Sequence, residues 1–328
     1  MPSLLDLRFV VLSGKGGVGR TAVAAALARA AAKAGRTVLV AQTDSVERLG
    51  KMLGSAEPIG PRVRAVAPGI DAVNMTPREA LHQYALLVLK YETVYRAVFE
   101  NRAVRGFLSA IPGLDAYAML GKAWWHTTEP RDARTRPGAA ARPKYDLVIL
   151  DGPASGHAVA MLRIPRAILQ AAPAGPLIKD ARALAELLAD PRRAAFVIVT
   201  RPEELPARET RELARAARTE LGMTLGPVIV NAMPPGRLSE PPADAVLARL
   251  PASLGDAELD PTLRLAAGVR EHRKIAEAVL SELATDPSVS GLPLVRLPWL
   301  PAVELGLREI DILADALEPA FAPFTGGR

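Results

Sequence analysis

Residues 13–21 read SGKGGVGRT, and this stretch decides how the rest of the sequence is interpreted. It matches the phosphate-binding pattern of Gly, four residues, Gly, Lys and then Ser or Thr, except that Arg20 occupies the lysine position. Glycines have no Cβ atom, so the backbone of such a loop can approach a phosphate closely and turn its N–H groups toward it. The hydroxyl of Thr21 stands where such loops contact Mg²⁺. We therefore predict a nucleotide-binding loop formed by Gly14, Lys15, Gly16, Gly17, Val18, Gly19, Arg20 and Thr21.

The segments on either side of the loop support this interpretation. Residues 7–12 are mostly apolar and predict a buried strand, and residues 21–34 are rich in alanine and predict a helix that Gly35 ends. Residues 37–41 predict a second strand. A glycine-rich turn without any ligand is the alternative, but four glycines within six positions between a strand and a helix favour a phosphate site.

Beyond the loop, predicted strands alternate with predicted helices. The expected strands lie within 62–75 and at 145–150, 194–200, 227–231 and 292–297, and the expected helices lie near 178–190, 206–221, 242–250, 261–284 and 304–317. This alternation predicts an α/β fold of the P-loop NTPase class, with a mostly parallel sheet and helices on both faces. Ligands bind such sheets at the carboxyl ends of the strands. Gly14, Asp44, Asp151, Thr200 and Asn231 all fall at predicted strand ends.

Residues 76–126 predict an all-helical insert in one P-loop domain that spans residues 1–328. The sequence Thr-Pro-Arg-Glu at 76–79 is typical of a helix start, and helical pattern runs to about residue 101, over 102–111 and over 114–126. The first insert helix is strongly apolar, which is compatible with packing against the core or a second subunit, or with a groove for a hydrophobic partner helix. Residues 127–144 are rich in arginine, and we expect a flexible basic loop that is either solvated or binds anions.

Composition excludes several classes of protein. The 328 residues include no cysteine, so disulfides and cysteine-ligated metals are excluded. The sequence has no apolar run long enough to cross a membrane, and the first strand begins too early for a signal peptide, so we expect a cytoplasmic protein without an integral membrane segment. The net charge is +6, but the basic loop contains no aromatic residue, so no nucleic-acid partner is expected.

Three motifs together resemble a known family. They are the loop at 14–21, the segment DGPASGH at 151–157 and the asparagine that ends VIVN at 228–231. The chain resembles the ArsA-type ATPases with a deviant Walker A loop, which include the arsenite-transport and the tail-anchored-protein targeting ATPases. The segment at 151–157 is similar to the family's switch II, Asp-Thr-Ala-Pro-Thr-Gly-His. The family's usual Asp-Pro-Ala-His after the second strand is DSVE at 44–47, so only the aspartate is kept.

The resemblance implies roles for individual residues. Lys15 matches a signature lysine that reaches the nucleotide of the other subunit of a dimer, and Asp44 matches the switch I aspartate that activates water. Asp151 matches the Walker B aspartate that holds Mg²⁺ through water. Asn231 matches the asparagine that reads adenine, and Pro298 lies where a C-terminal loop closes over the base. ATP and Mg²⁺ are the ligands that follow, with a homodimer, or a heterodimer with a related ATPase, as the assembly.

Arg20 leaves the enzymatic activity open. A guanidinium is longer and flatter than the ammonium of lysine, so we expect it to fit a glycine-lined loop less well. We expect a switch that binds Mg-ATP and hydrolyses it slowly or only with a partner. The alternatives are a non-hydrolysing regulatory subunit that pairs with an intact paralogue and, less well supported, a partition-type ATPase.

Overall fold

An eight-stranded sheet forms the centre of the protein in the computed structural model, which describes residues 2–89, 113–131, 142–171, 176–236 and 261–324. The strands in chain order are β1 Phe9–Ser13, β2 Val38–Thr43, β3 Arg64–Ala67, β4 Ile70–Met75, β5 Leu147–Asp151, β6 Ala194–Thr200, β7 Leu225–Met233 and β8 Leu294–Pro298. Their order across the sheet is β3-β4-β2-β5-β1-β6-β7-β8. Of these eight strands, β3 alone runs antiparallel to its neighbour. The prediction of a mostly parallel sheet is confirmed.

Helices cover both faces of the sheet. The described helices are α1 Arg20–Lys33, α2 Leu49–Met52, α3 Pro77–Leu89, α4 Leu114–Trp125, α5 Ser155–Ala171, α6 Pro176–Ala189, α7 Glu204–Ala216, α8 Pro261–Thr285 and α9 Leu307–Ala316. Side chains of α1, α2 and α9 share one buried cluster with one face of the strands. Side chains of α3 to α8 share a second cluster with the other face. Successive residues of β1 contribute to opposite clusters, as strand geometry requires.

Strand order places the glycine loop beside the end of β5. Because β5 lies between β1 and β2, Leu12 of β1 and Gln42 of β2 both stand in register with Asp151. The carboxyl ends of these parallel strands therefore meet at one edge of the sheet, where α1 begins. Helix α1 packs closely on the sheet through a row of small buried alanines. It ends at Lys33 with Ala34 as its C-cap, and Gly35, which was predicted to end the helix, follows with φ +78°.

Several predicted element boundaries are wrong. Strand β1 begins at Phe9 rather than at residue 7, because Leu4–Asp6 form a 3₁₀ turn whose C-cap is Leu7. Strand β5 begins at Leu147 rather than at 145, and Asp146 accepts a hydrogen bond from the N–H of Thr37 at 2.8 Å. Helix α5 was not predicted, because a proline stands inside it and glycines flank its start. The helix expected near 242–250 lies outside the described residues.

The helical insert is described only in part. Helix α3 begins at Pro77 as predicted, and the N–H of Ala80 donates to the carbonyl of Thr76 at 2.9 Å. Helix α4 confirms the predicted helix over 114–126. The helical pattern expected over 90–112 lies outside the described residues, so the extent of the insert and the single-domain division stay predictions.

The basic loop expected at 127–144 has paired ends. The N–H of Arg131 donates to the carbonyl of Arg142 at 2.9 Å, and the N–H of Lys144 donates to the carbonyl of Glu129 at 2.7 Å. His126 Nδ1 lies 2.7 Å from a carboxylate oxygen of Glu129. The residues between these ends, 132–141, lie outside the described part of the chain.

Candidate functional site

The glycine loop is fitted closely against two neighbouring strands. A Cβ atom added to Gly14 would lie 2.0 Å from the carbonyl oxygen of Val199, and one added to Gly19 would lie 2.2 Å from Nδ2 of Asn231. Gly19 also has φ +90°, a left-handed conformation that is costly for other residues. The amide of Asn231 donates to the carbonyl of Val18 at 2.8 Å. The loop can hold this course only with glycine at both positions.

The tip of the loop is open to solvent. Gly16 and Gly17 are exposed, and an added Cβ atom at either would meet nothing within 4 Å. Within the described part of the chain, the N–H groups of Gly16, Gly17 and Gly19 have no hydrogen-bond acceptor. Unpaired backbone N–H groups at the start of a helix form a favourable site for an anion.

Asp151 lies directly behind the loop and is buried. Its Oδ2 accepts hydrogen bonds from the hydroxyl of Thr21 at 2.7 Å and from the amide of Gln42 at 3.2 Å. Burial raises the pKa of Asp151 above its usual value, although the hydrogen bonds from Thr21 and Gln42 and the charge of Arg20 act in the opposite direction. The hydrogen bonds and the positive charge around the carboxylate therefore do not offset the effect of its burial.

Arg20 turns toward the segment that follows β5. Its Nη1 donates to the carbonyl of Gly152 at 2.6 Å. Burial lowers the pKa of the Arg20 guanidinium, and the nearby Asp151 carboxylate opposes that effect. The side chain thus contacts the backbone of the predicted switch II segment rather than extending to the solvent side of the loop.

Lys15 is paired inside the same chain. Its Nζ lies 2.6 Å from Oε1 of Glu209, a residue of α7. The other carboxylate oxygen of Glu209 accepts a hydrogen bond from the Ser155 hydroxyl at 2.5 Å. Glu209 therefore connects the glycine loop with the first residue of α5.

Asp44 and Pro298 are less closely connected to the loop. Asp44 is exposed and has φ +43°, a left-handed conformation that aspartate tolerates, and its N–H donates to the carbonyl of Met75 at 2.8 Å. The turn is held by Asn74, whose amide donates to the carbonyl of Ser45 at 2.7 Å. Pro298 is exposed at the end of β8. Among the described residues, no hydrogen bond or ion pair joins either residue to the glycine loop.

A cavity of about 560 Å³ lies between Asp44, helix α5 and the helical insert. Its walls are mostly apolar and include Met119, Met161 and Ile164, while Asp44 and His157 contribute polar groups. His157 is exposed and faces residues of the insert across this cavity. The cavity therefore lies between the segment that follows β5 and the helical insert.

Most of the predicted site residues come together, but the sequence did not reveal all the residues that hold them. The structure joins Gly14, Lys15, Val18, Gly19, Arg20, Thr21, Asp151 and Asn231 through direct contacts or chain neighbours. Gln42 was missed, although a polar residue near the end of an otherwise apolar strand is a usable signal. Glu209 was missed because one glutamate on a charged helix carries no such signal.

Across the described residues, no helix combines the length and apolarity needed to cross a membrane.

Comparison with known proteins assigns the chain to a family. Residues 7–172, just over half of the chain, match the family described as anion-transporting ATPase. The ATPase BagA of Mycobacterium tuberculosis is 28% identical over 250 residues, which are 72% of this chain and 68% of that protein. The arsenical pump-driving ATPase of Acidiphilium multivorum is 26% identical over 288 residues, 78% of this chain and 46% of that protein.

An arsenical pump-driving ATPase of Escherichia coli is 26% identical over 233 residues, which are 65% of this chain and 36% of that protein. The aligned region thus spans less than half the length of either pump-driving relative. Since the segment that matches the family contains the whole glycine loop and also Asp151, the chain belongs to the anion-transporting ATPase family and is a P-loop ATPase of the ArsA type.

Proposed function

We propose that this chain is a nucleotide-dependent dimeric switch that binds Mg-ATP and hydrolyses it slowly on its own. The observation that carries the proposal is the 2.6 Å hydrogen bond from Arg20 Nη1 to the carbonyl of Gly152. This bond holds the guanidinium against the predicted switch II segment, whereas the lysine of an intact loop contacts the β- and γ-phosphates. The remaining elements of a phosphate site are present, which supports binding.

The phosphates of ATP would be held by the loop backbone. The N–H groups of Gly16, Gly17 and Gly19, which lack acceptors within the described residues, are available for this purpose. Gly14 and Val18 would set the course of the loop through their contacts with β6 and Asn231. Because the Asn231 amide donates to Val18, its Oδ1 is left as an acceptor, the group that the exocyclic amine of adenine requires. Pro298 would close over the base.

The residues beside the loop fit a magnesium ion. Thr21 offers a hydroxyl oxygen, Asp151 a buried carboxylate, and Gln42 a buried Oε1 that has no partner within the described residues. Oxygen donors of this kind suit Mg²⁺, which usually takes one or two protein ligands and completes its shell with water and phosphate oxygens. Thr21 would bind the ion directly, and Asp151 through water. When bound, Mg²⁺ neutralises charge on the phosphates.

Hydrolysis would depend on Asp44 and on a cation near the γ-phosphate. Asp44 would orient and activate water from its exposed turn after β2. Arg20 would supply less transition-state stabilisation than lysine for as long as it bonds Gly152. A lost contact of this kind costs about 3 kcal/mol, or roughly a hundredfold in rate.

Dimerisation would complete the switch, with Lys15 of each chain serving the nucleotide of the other. Either a homodimer or a heterodimer with a related ATPase is compatible with this role. The movement of switch II would reach the helical insert through α5 and the cavity beside His157, where a hydrophobic segment of a client protein is the proposed partner. Membership of the anion-transporting ATPases favours this arrangement over a partition-type ATPase.

The experiment that tests the proposal compares Mg-ATP turnover of the wild-type chain with that of Arg20→Lys, with nucleotide binding measured for both. We expect both proteins to bind ATP and Arg20→Lys to turn over about a hundredfold faster. Asp44→Asn in the Arg20→Lys background should remove that gain. Equal turnover by the two proteins would refute the damping role of Arg20, and binding without turnover in either would favour the non-hydrolysing regulatory subunit.

A further inference from the structure

Lys15 is the cation nearest the start of the glycine loop, and it is already paired. Its Nζ contacts Glu209 at 2.6 Å across 194 residues of sequence, and the two side chains are 31% and 25% exposed. The Ser155 hydroxyl donates to the second oxygen of Glu209 at 2.5 Å. One carboxylate therefore holds the loop and the first residue of α5 at the same time.

The contact differs from the exposed ion pair that lies within the same helix. Arg208 and Glu212 are four residues apart on α7, and their side chains are 73% and 58% exposed. Such a pair contributes little and constrains nothing beyond its own helix. The Lys15–Glu209 pair instead joins three separate segments. The hydrogen bond from Lys15, and then that from Ser155, lower the pKa of Glu209, so the carboxylate is ionised at neutral pH.

Neither cation of the loop is available to a phosphate in this arrangement. Lys15 is bound to Glu209, and Arg20 is bound to the carbonyl of Gly152. A nucleotide phosphate, whether on this chain or on a second copy, would have to compete with Glu209 for the ammonium group. The Lys15 ammonium would therefore be shared between Glu209 and phosphate in an equilibrium, and removing the charge of Glu209 would shift that equilibrium toward phosphate.

We propose that Glu209 is a positioning residue that holds Lys15 within its own chain and releases it only when nucleotide phosphate displaces the carboxylate. This inference rests on the proposed function, because it assumes that the loop binds nucleotide and that Lys15 serves a phosphate. The inference adds to the proposed function a contact within one chain, between Lys15 and Glu209, that nucleotide binding must break. Ser155 makes the restraint sensitive to switch II, since a movement of the start of α5 would remove one of the two hydrogen bonds on Glu209.

The restraint is first tested without nucleotide. The wild-type chain, Glu209→Gln and Glu212→Gln are treated with a limiting acetylating reagent, and modification of Lys15 is followed by peptide mass spectrometry. Glu209→Gln should raise the rate at Lys15 about threefold, since a partly exposed ion pair is worth a few-fold in an equilibrium. Glu212→Gln removes the same charge from the same helix and should leave the rate unchanged. Equal rates in all three proteins would refute the restraint.

Competition with phosphate is tested by ATP affinity and by sedimentation velocity with ATP and Mg²⁺. Glu209→Gln should bind ATP about threefold more tightly and form dimers at lower protein concentration than the wild type, with the difference decreasing at high salt. Ser155→Ala should change affinity in the same direction by a smaller factor. In a Lys15→Met background, Glu209→Gln should have no effect, which a merely structural role of Glu209 would not produce.

The outcomes separate the two proposals. Failure of every variant to bind nucleotide would refute the proposed function and the competition with it. Normal binding that is equal in wild type and Glu209→Gln would refute the role of Glu209 alone. An effect of Glu209→Gln that persists in the Lys15→Met background would also refute it, because the carboxylate would then act on something other than Lys15.

Discussion

Gly19→Ala tests whether the loop is built as closely as the structure indicates. Gly19 has φ +90° and ψ 32°, and its missing Cβ atom would lie 2.2 Å from Nδ2 of Asn231. Alanine would therefore meet two separate costs, one in the backbone and one from the neighbouring side chain. Gly17 is a natural control because its φ is +88° but a Cβ atom there would meet nothing within 4 Å.

The two costs can be given magnitudes. A left-handed conformation costs an alanine roughly 1–2 kcal/mol at either position. At Gly19 the Asn231 side chain must also move, which breaks its 2.8 Å hydrogen bond to the carbonyl of Val18, and a lost hydrogen bond costs roughly 0.5–1.5 kcal/mol. We therefore expect Gly19→Ala to lower the free energy of unfolding by about 1.5–3.5 kcal/mol, and Gly17→Ala by about 1–2 kcal/mol.

Urea unfolding followed by circular dichroism measures both variants under the same conditions. In an Asn231→Ala background the added Cβ atom at position 19 no longer meets Nδ2, so the two glycine variants should become equally destabilising. If Gly19→Ala is no more destabilising than Gly17→Ala in the wild-type background, the close contact with Asn231 does not exist. Nucleotide binding should be lost in Gly19→Ala, since the loop must move away from Asn231.

Three further changes test the charges and hydrogen bonds of the buried groups. Asp151→Asn should stabilise the nucleotide-free protein against urea unfolding at pH 7. Burial raises the pKa of Asp151, so the contribution of its protonated form to stability, present at low pH, is lost as pH rises through the folded-state pKa. A less stable variant at pH 7 would contradict this argument. Thr21→Val should destabilise the nucleotide-free protein by about 1–2 kcal/mol, because Asp151 loses its 2.7 Å hydrogen bond, and unchanged unfolding in urea would show that the bond is not formed. Lys122 is buried and its pKa is lowered to about 8, so the unfolded chain binds more protons than the folded protein between about pH 8 and 10.5. The free energy of unfolding of the wild type should therefore rise by about 2 kcal/mol relative to that of Lys122→Met between pH 8 and 10. Parallel curves of stability against pH for the two proteins would refute the shift.

The sequence predicted those parts of the structure that depend on local patterns. The glycine loop, the alanine-rich helix and its end at Gly35 follow from backbone freedom and helix propensity over short stretches. The mostly parallel sheet follows from alternation of strands and helices. Helix α5 was missed because Pro165 and Gly156 both argue against a helix locally, and tertiary packing against α6 and α7 overrides that preference.

Long-range contacts explain what the sequence could not predict about the site. Thr21 and Asp151 are 130 residues apart, and their meeting could be anticipated from the predicted strand ends beside both residues and from the resemblance of two motifs to one family. Lys15 and Glu209 are 194 residues apart, and no motif contains Glu209. The sequence alone could not show whether the side chain of Arg20 points to the segment after β5 or to the solvent side of the loop. Its contact with Gly152 depends on the position of the backbone after β5, which is set by the pairing of β5 with β1 and β2.

The positions of Lys15 and Arg20 change how the substitution at residue 20 should be understood. A loop with a free lysine would present a cation to phosphate, whereas here each cation is bound to a group on a different element, Lys15 to Glu209 of α7 and Arg20 to the carbonyl of Gly152 after β5. Nucleotide binding would then have to break one contact for each cation before both could serve a phosphate. If the Arg20→Lys and Glu209→Gln effects on ATP affinity add, the two restraints act independently, and if they do not, they are coupled through Ser155 and the start of α5. The double variant therefore decides whether the two proposed restraints are independent or are coupled through this edge of the sheet.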